Sequence, residues 1–225
     1  MSAIFHAGIS GYRGRMGRAV SQVLDARDDV VVAARFDWGE TADISLCDVI
    51  IDFSTPDASV ALAQAAAARG APALVIGSTG MTPEQEAEIL KASETVAIVK
   101  SGNFSLGVNV LIGLVRQAAQ RLDAQEWDIE ITESHHRRKV DAPSGTALML
   151  GEAAAEGRFG ELSDLRSPPY DGVQGEREPG RIGFSSIRAG GIIGEHSVLF
   201  ASEAEVLTLS HSAIDRSLFA RGAVA

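Results

Sequence analysis

Over the first hundred residues, short apolar runs alternate with longer stretches of helical spacing. Ile4 to Ile9 is a buried-strand pattern ending in glycines. Arg15 to Ala26 carries Met16, Ala19, Val20, Val23 and Leu24 at the steps of one helix face. Val30 to Phe36, rich in valine, and Cys47 to Phe53 read as further strands. An alanine-rich helix is predicted from Ala58 to Arg69 and a strand from Ala73 to Ile76. A helix capped by Thr82 follows from Pro83 to Ala92, then a strand from Val96 to Val99. This alternation predicts an α/β fold: a Rossmann-like, doubly wound parallel sheet with helices on both faces.

Near Asn103 the pattern changes. A helix is predicted from Val108 to Leu122. Trp127 to Glu133 alternates in part, with Trp127, Ile129 and Ile131 set against Asp128, Glu130 and Thr132. A basic loop follows, then a helix from Ser144 to about Glu156. Residues 157–180, rich in Gly, Pro, Ser and charge, read as a loop or lid. Strands are predicted at Ile182 to Arg188, Ile193 to Ala201 and Glu205 to His211. This half reads as a C-terminal α+β domain with a mixed or antiparallel sheet. The expected division is 1–102 and 103–212, with 213–225 a candidate to return to the first domain.

Composition then narrows the function. The 225 residues carry 30 acidic and 20 basic side chains, a net charge of −10. That excess argues against nucleic-acid binding, and an anionic substrate would need a locally basic site. A single cysteine, Cys47, allows no intrachain disulfide and fits a reducing, cytoplasmic compartment. The start, MSAIFHAGIS, lacks the features of a signal peptide, and no apolar run is long enough to span a membrane.

Gly11, Gly14 and Gly17 follow the first strand and open the first helix. Glycines there let the backbone approach a pyrophosphate, which the helix N-terminus attracts. The spacing is GxxGxxG, with Arg13 where the usual fingerprint has its middle glycine. Asp37 ends the second strand, 20 positions past Gly17, where an acid hydrogen-bonds the adenosine ribose. A doubly wound domain that binds no dinucleotide is the competing reading.

The run His135, His136, Arg137, Arg138, Lys139 would focus positive potential within an acidic chain. Ser144 or Asp141 could cap the next helix, whose N–H groups near Gly145 and Thr146 suit a carboxylate. A histidine and a lysine four residues on are candidate proton donors. A solvated basic loop before a capped helix explains the same residues without chemistry. Glu195-His196 has no third ligand at a useful spacing, so strand-end packing is favoured over a metal.

The stretch Glu133-Ser134-His135-His136-Arg137-Arg138-Lys139-Val140-Asp141-Ala142-Pro143-Ser144-Gly145-Thr146-Ala147 closely resembles the signature of the 4-hydroxy-tetrahydrodipicolinate (dihydrodipicolinate) reductase family. Gly14-Arg15-Met16-Gly17, Asp52-Phe53-Ser54, Gly77-Ser78-Thr79-Gly80, Asn103-Phe104-Ser105 and Gly194-Glu195-His196 extend the resemblance along the chain. It implies an NAD(P)H-dependent reduction giving tetrahydrodipicolinate, in lysine and diaminopimelate synthesis. By position, Gly11, Tyr12, Arg13, Gly14, Arg15, Met16 and Asp37 would hold the cofactor. Gly77, Ser78, Thr79, Ser101, Gly102, Asn103 and Phe104 would line its nicotinamide side. His135 would be the acid/base residue, Lys139 a proton donor, and His136, Gly145 and Thr146 the substrate's holders. The family is usually a homotetramer joined through the second domain's sheet.

Three departures matter. Trp38 stands where many members carry an arginine for the 2′-phosphate of NADPH, so NADH use at least equal to NADPH is expected, with Arg13, Arg15 and Arg35 as the remaining phosphate candidates. The segment from Asp37 to Cys47 is short, and the sequence ends at Ala225, earlier than the resemblance implies. A trimmed form and a less stable first domain are the two expectations for that end. Another two-domain NAD(P)-dependent dehydrogenase of amino-acid metabolism and a non-catalytic NAD(P)H-binding regulator are the rival functions. An aspartate-semialdehyde-type enzyme would need a second-domain cysteine, and Cys47 is not one.

Overall fold

The computed structural model describes residues 4–40 and 43–225. Residues 1–3, within the start read for a signal peptide, and 41–42, within the short connection from Asp37 to Cys47, lie outside the described residues. The chain divides into two compact units, Met1–Ser105 with Arg216–Ala225, and Leu106–Asp215. The first division falls three residues beyond the 102/103 boundary read from the sequence.

The first unit contains β1 (Phe5–Ser10), α1 (Arg15–Asp25), β2 (Val30–Phe36), β3 (Val49–Asp52), α2 (Pro56–Ala67), β4 (Ala73–Ile76), α3 (Pro83–Ser93) and β5 (Ile98–Lys100). Its five strands are all parallel, in the order β2-β1-β3-β4-β5. Adjacent residues Ile50 and Ile51 point to opposite faces, as the strand's two-residue period requires. Ile50 joins Leu62, Ala63, Ala66, Ile89 and Ala92 of α2 and α3, whereas Ile51 joins Val20 and Leu24 of α1. Both faces are therefore covered by helices.

Three elements of this unit start two residues away from the sequence reading. Cys47 lies outside β3: the Asp43 side chain accepts from the Ser45 N–H and ties Ile44–Leu46 into a 3-10 turn, so pairing begins only at Val49. Val96 still donates to Ala92 O at the end of α3, which delays β5 to Ile98. Helix α2 begins at Pro56, because Thr55 caps it and proline suits the first helical position.

The second unit contains α4 (Leu106–Arg121), β6 (Asp128–His135), α5 (Gly145–Gly157), α6 (Leu162–Leu165), β7 (Ile182–Arg188), β8 (Glu195–Ala201) and β9 (Val206–Ser212). Its sheet is mixed, in the order β7-β6-β8-β9, with β6 and β7 parallel and the other pairs antiparallel. One face packs Ile129, Ile131, Val198 and Phe200 against Val115, Ala147, Leu150 and Ala154 of α4 and α5. Gly157 allows those helices to approach, since a Cβ there would lie 2.4 Å from Arg116 O. Residues 157–180 include α6 and are pinned near their end by Arg177, which donates to Asp128 at 2.7 Å, Glu130 at 3.1 Å and Ile129 O at 3.0 Å.

The chain returns to the first unit as α7 (Ser217–Val224), whose Ala220 and Ala223 are buried in the same cluster as Val20 and Leu24 of α1. No helix of the described residues is long and apolar enough to cross a membrane.

Candidate active site

Every residue proposed from the sequence to hold a dinucleotide lies along one edge of the parallel sheet, past the C-terminal ends of its strands. From one side to the other the order is Asp37 after β2, Gly11 to Met16 after β1, Gly77 to Thr79 after β4, and Ser101 to Phe104 after β5. Four strand spacings separate β2 from β5, about 19 Å, a distance suited to an elongated ligand. Such an edge, where neighbouring loops diverge, is where open α/β sheets bind ligands.

The glycines of the first loop answer to packing. Gly11 has a positive φ of 75°, and a Cβ there would meet Phe53 O at 2.8 Å. A Cβ on Gly17 would lie 2.2 Å from Gly11 O and 2.4 Å from Tyr12 Cα, both backbone. These contacts draw the first turn of α1 close against β1. Helices α2, α3 and α5 are capped by Thr55, Thr82 and Ser144, whereas α1 has no side-chain cap and no acid in its first turn. Its N-terminal N–H groups and partial positive charge are thus free for an anion.

At the β2 end a cavity of about 250 Å³ is lined by Phe36, Asp37, Trp38, Ala61, Leu62 and Arg69, among others. Arg13 bonds Asp37 and Glu40, and its guanidinium stacks 4.8 Å from the Tyr12 ring. At the other end, Phe53 lies where a Gly77 Cβ would be, 2.1 Å from its ring, and packs edge-on to Phe104 at 6.0 Å. Ser78 is buried and bonds Ser59, which donates to the fully buried Asp52. Ser101 and Asn103 form a turn closed by Ser101 Oγ to Asn103 O at 2.9 Å and Ser105 N to Asn103 Oδ1 at 2.8 Å.

In the second unit the structure corrects the basic loop. Strand β6 runs two residues further than expected, and the buried face of Ile129 and Ile131 continues through Glu133 and His135. His135 is therefore a buried strand residue and not part of a solvated loop. Its Nδ1 lies 2.5 Å from Glu133 Oε2, within hydrogen-bond distance. Arg188, at the end of β7, clamps the two Glu133 oxygens at 2.6 and 2.8 Å, and the Ser144 N–H adds a bond to Oε1 at 3.2 Å. Burial opposes the Glu133 charge, but hydrogen bonds from Arg188, Ser186 and His135 outweigh it and hold the carboxyl at about 2. Burial also draws His135 below its ordinary value, partly opposed by Glu133.

His196, on β8, lies edge-on to His135 with ring centres 5.1 Å apart, and its Nε2 is 3.1 Å from Ser144 Oγ. Burial pushes its pKa down to about 4, so it is neutral near pH 7. Ser144, and not Asp141, caps α5, accepting from Ala147 N at 3.2 Å. Asp141 instead pairs with Lys139 Nζ at 2.8 Å. Arg137 and Arg138 are exposed, as is Gly145, whereas His136 and Thr146 are half-buried beside them. Sequence reasoning missed Glu133, Arg188 and His196. The signal for all three was strand alternation: Glu133 extends the apolar face of β6, Arg188 ends its partner β7, and His196 precedes Val198 and Phe200 on one face of β8.

A parallel sheet with a free glycine-turn helix N-terminus, and a separate mixed-sheet unit carrying a buried histidine–glutamate–arginine cluster, define a two-domain nicotinamide-dependent oxidoreductase. Residues 5–104 match the family described as Dihydrodipicolinate reductase, N-terminus, and 107–225 match Dihydrodipicolinate reductase, C-terminus. The chain belongs to the dihydrodipicolinate reductase family. It is 61% identical over 235 positions to the 4-hydroxy-tetrahydrodipicolinate reductase of Caulobacter vibrioides, covering 100% of this chain and 91% of that one. Identity to the enzyme of that name from Allorhizobium ampelinum is 46%, over 96% and 89% of the two chains. The dipicolinate-bound dihydrodipicolinate reductase of Paenisporosarcina sp. TG-14 superposes with a TM-score of 0.76 at 25% identity, covering 98% of this chain and 92% of that one.

Proposed function

We propose that this chain reduces 4-hydroxy-tetrahydrodipicolinate to tetrahydrodipicolinate with a nicotinamide cofactor, in lysine and diaminopimelate synthesis. The observation that carries the reading is His135, buried on Glu133 at the foot of the turn that presents Lys139 and leads into α5. In a chain of net charge −10, the basic turn Arg137-Arg138-Lys139 and the helix N-terminus suit a small dicarboxylate.

The residues present fit a dinucleotide. The uncapped α1 would receive the pyrophosphate on the turn from Gly11 through Tyr12, Arg13, Gly14 and Arg15 to Met16. Asp37 would accept from the adenosine ribose, and Gly77, Ser78, Thr79, Ser101, Gly102, Asn103 and Phe104 would border the nicotinamide. When bound, the cofactor supplies the hydride. His136, Gly145 and Thr146 would orient the substrate carboxylates, and His135 and Lys139 would deliver the proton that hydride addition calls for. The acids Asp37 and Glu40 at the ribose position favour NADH at least as much as NADPH. Exposed Ile187, Val206 and Leu207 on the second unit's sheet support assembly through that sheet, as a homotetramer. Cys47, the single cysteine, fits a cytoplasmic setting.

Nicotinamide oxidation followed with enzymatically generated substrate, with NADH and NADPH in parallel, tests reaction and cofactor together. Oxidation that does not depend on substrate would overturn the reading.

A further inference from the structure

We infer that Glu133 is a positioning residue that holds the His135 proton on Nδ1 and leaves Nε2, beside Gly194, as the ring atom through which His135 exchanges a proton with substrate. The inference rests on the proposed role of His135 and adds its tautomer, its direction and the residues that set both.

Glu133 can only accept here. Its two oxygens already receive two Arg188 N–H groups and the Ser144 N–H, with the Ser186 hydroxyl as a further donor, and the bidentate guanidinium holds the carboxylate ionised. An ionised carboxylate has no proton to give, and the proton between Glu133 and His135 must belong to Nδ1. The low pKa of Glu133 agrees with that assignment. Stability alone does not account for the cluster. Ile129 and Ile131 occupy the same face of β6, and apolar residues commonly replace a buried ion pair at no net loss. A charged pair kept where that face would otherwise be apolar points to chemistry.

The far side of the ring has a matching feature. An ideal Cβ on Gly194 would lie 3.1 Å from His135 Nε2 and 3.9 Å from His196 Cε1. Gly194 has no positive φ, so no backbone strain demands glycine there. Its missing side chain keeps Nε2 reachable. His196, neutral and edge-on, closes the other flank without adding a competing charge. The charged or titratable groups facing His135 are thus Glu133 on its own strand, Lys139 in the following turn, Arg188 on β7 and His196 on β8. Among these only Glu133 favours the imidazolium.

Two-bond proton–nitrogen correlation spectra of the whole protein, with labelled histidine, test the tautomer directly and need no variant. The expected result is a neutral His135 protonated on Nδ1; protonation on Nε2 overturns the proposal. Glu133→Gln removes the charge at nearly constant size. Because Glu133 raises the His135 pKa, its loss should move the His135 limb of the kcat/KM–pH profile to lower pH by about one unit. It should cut kcat at least tenfold, with the nucleotide Kd, read by fluorescence, unchanged. A limb that stays in place overturns the idea, since a merely structural role would lower activity without moving it. Should Glu133→Gln not fold, Gly194→Ala carries the test: it removes no ionisable group and should lower kcat at least tenfold with the tautomer unchanged. Full activity in Gly194→Ala overturns the assignment of Nε2. If the wild-type protein does not turn over the substrate at all, the proposed reaction fails, while the tautomer spectrum still decides the positioning.

Discussion

Arg13 and Asp37 are joined across the glycine turn: the Arg13 backbone N–H and guanidinium both donate to one Asp37 oxygen, at 3.3 and 3.4 Å. Glu40 takes the same guanidinium at 2.5 Å and the Asp37 N–H at 3.0 Å. The acid proposed to meet the adenosine ribose is thereby fixed at the end of β2 with a second acid beside it. Arg35 is turned to Asp25 at 2.7 Å, and Trp38 is exposed. A 2′-phosphate would meet two carboxylates and an arginine that already serves both.

The wild-type protein should therefore show a kcat/KM for NADH at least equal to that for NADPH. Asp37→Ala should lower the NADH value about tenfold, in line with one lost hydrogen bond to a charged group. The NADPH value should fall less or rise, because a repelling charge has gone. The informative quantity is the ratio of the two constants; a ratio unmoved by Asp37→Ala means that the ribose is read elsewhere.

Two helical glycines should respond to alanine with opposite signs. In an open helix interior, Gly→Ala gains roughly 0.5–1 kcal/mol. Gly113 in α4 has nothing within 4 Å of a built Cβ, so Gly113→Ala should raise stability by about that amount. At Gly17 the same methyl would strike backbone atoms of Gly11 and Tyr12, which cannot rotate away. Gly17→Ala should lower the midpoint of urea unfolding and weaken nucleotide binding together. A stabilised Gly17→Ala protein would refute the packing argument for the turn.

What could be read from the sequence followed the range of the interactions that fix it. The parallel sheet was legible because each strand is a local apolar run and each helix a local period, as at Val30–Phe36 and Ala73–Ile76. Asp37 and the glycine turn were legible because their spacing is itself the signal. The cap at Ser144 was readable only as one of two candidates, since Asp141 is spent on Lys139. Glu133, Arg188 and His196 were not legible as a site, because they meet only through the β7-β6-β8 pairing, 55 and 63 positions of chain apart from Glu133. A run of five basic or titratable residues drew attention to the turn, while the residue that sets its histidine lies two positions before it, disguised by an otherwise apolar face.

Lys139 offers a separation of charge from proton delivery. Lys139→Arg keeps a cation for the substrate carboxylates, yet arginine does not release its proton near neutral pH. If Lys139 delivers the proton, Lys139→Arg should hold KM within a few-fold and lose at least about a hundredfold in kcat, and Lys139→Ala should lose both. The nucleotide Kd should be unchanged in each. An active Lys139→Arg enzyme would reduce Lys139 to a binding role and leave the proton to His135.

The buried cluster should also govern acid stability, in two windows. His196 has its pKa lowered from 6.5 to about 4, so the unfolded chain binds its proton first, and stability present above pH 6.5 is lost as pH falls toward 4. Glu133 is lowered from 4.5 to about 2, so its contribution is complete above pH 4.5 and is lost as pH falls toward 2. Each window corresponds to roughly 3 kcal/mol. Both groups make unfolding take up protons, so their effects add in the same direction. Urea unfolding measured at intervals from pH 7.5 to 3 should show stability falling steadily from about pH 6.5 in the wild type. In His196→Gln the fall between pH 6.5 and 4.5 should be shallower but still present, because burial draws His135 and His211 below 6.5 as well. An unchanged slope in His196→Gln would mean that His196 takes up no proton in that window.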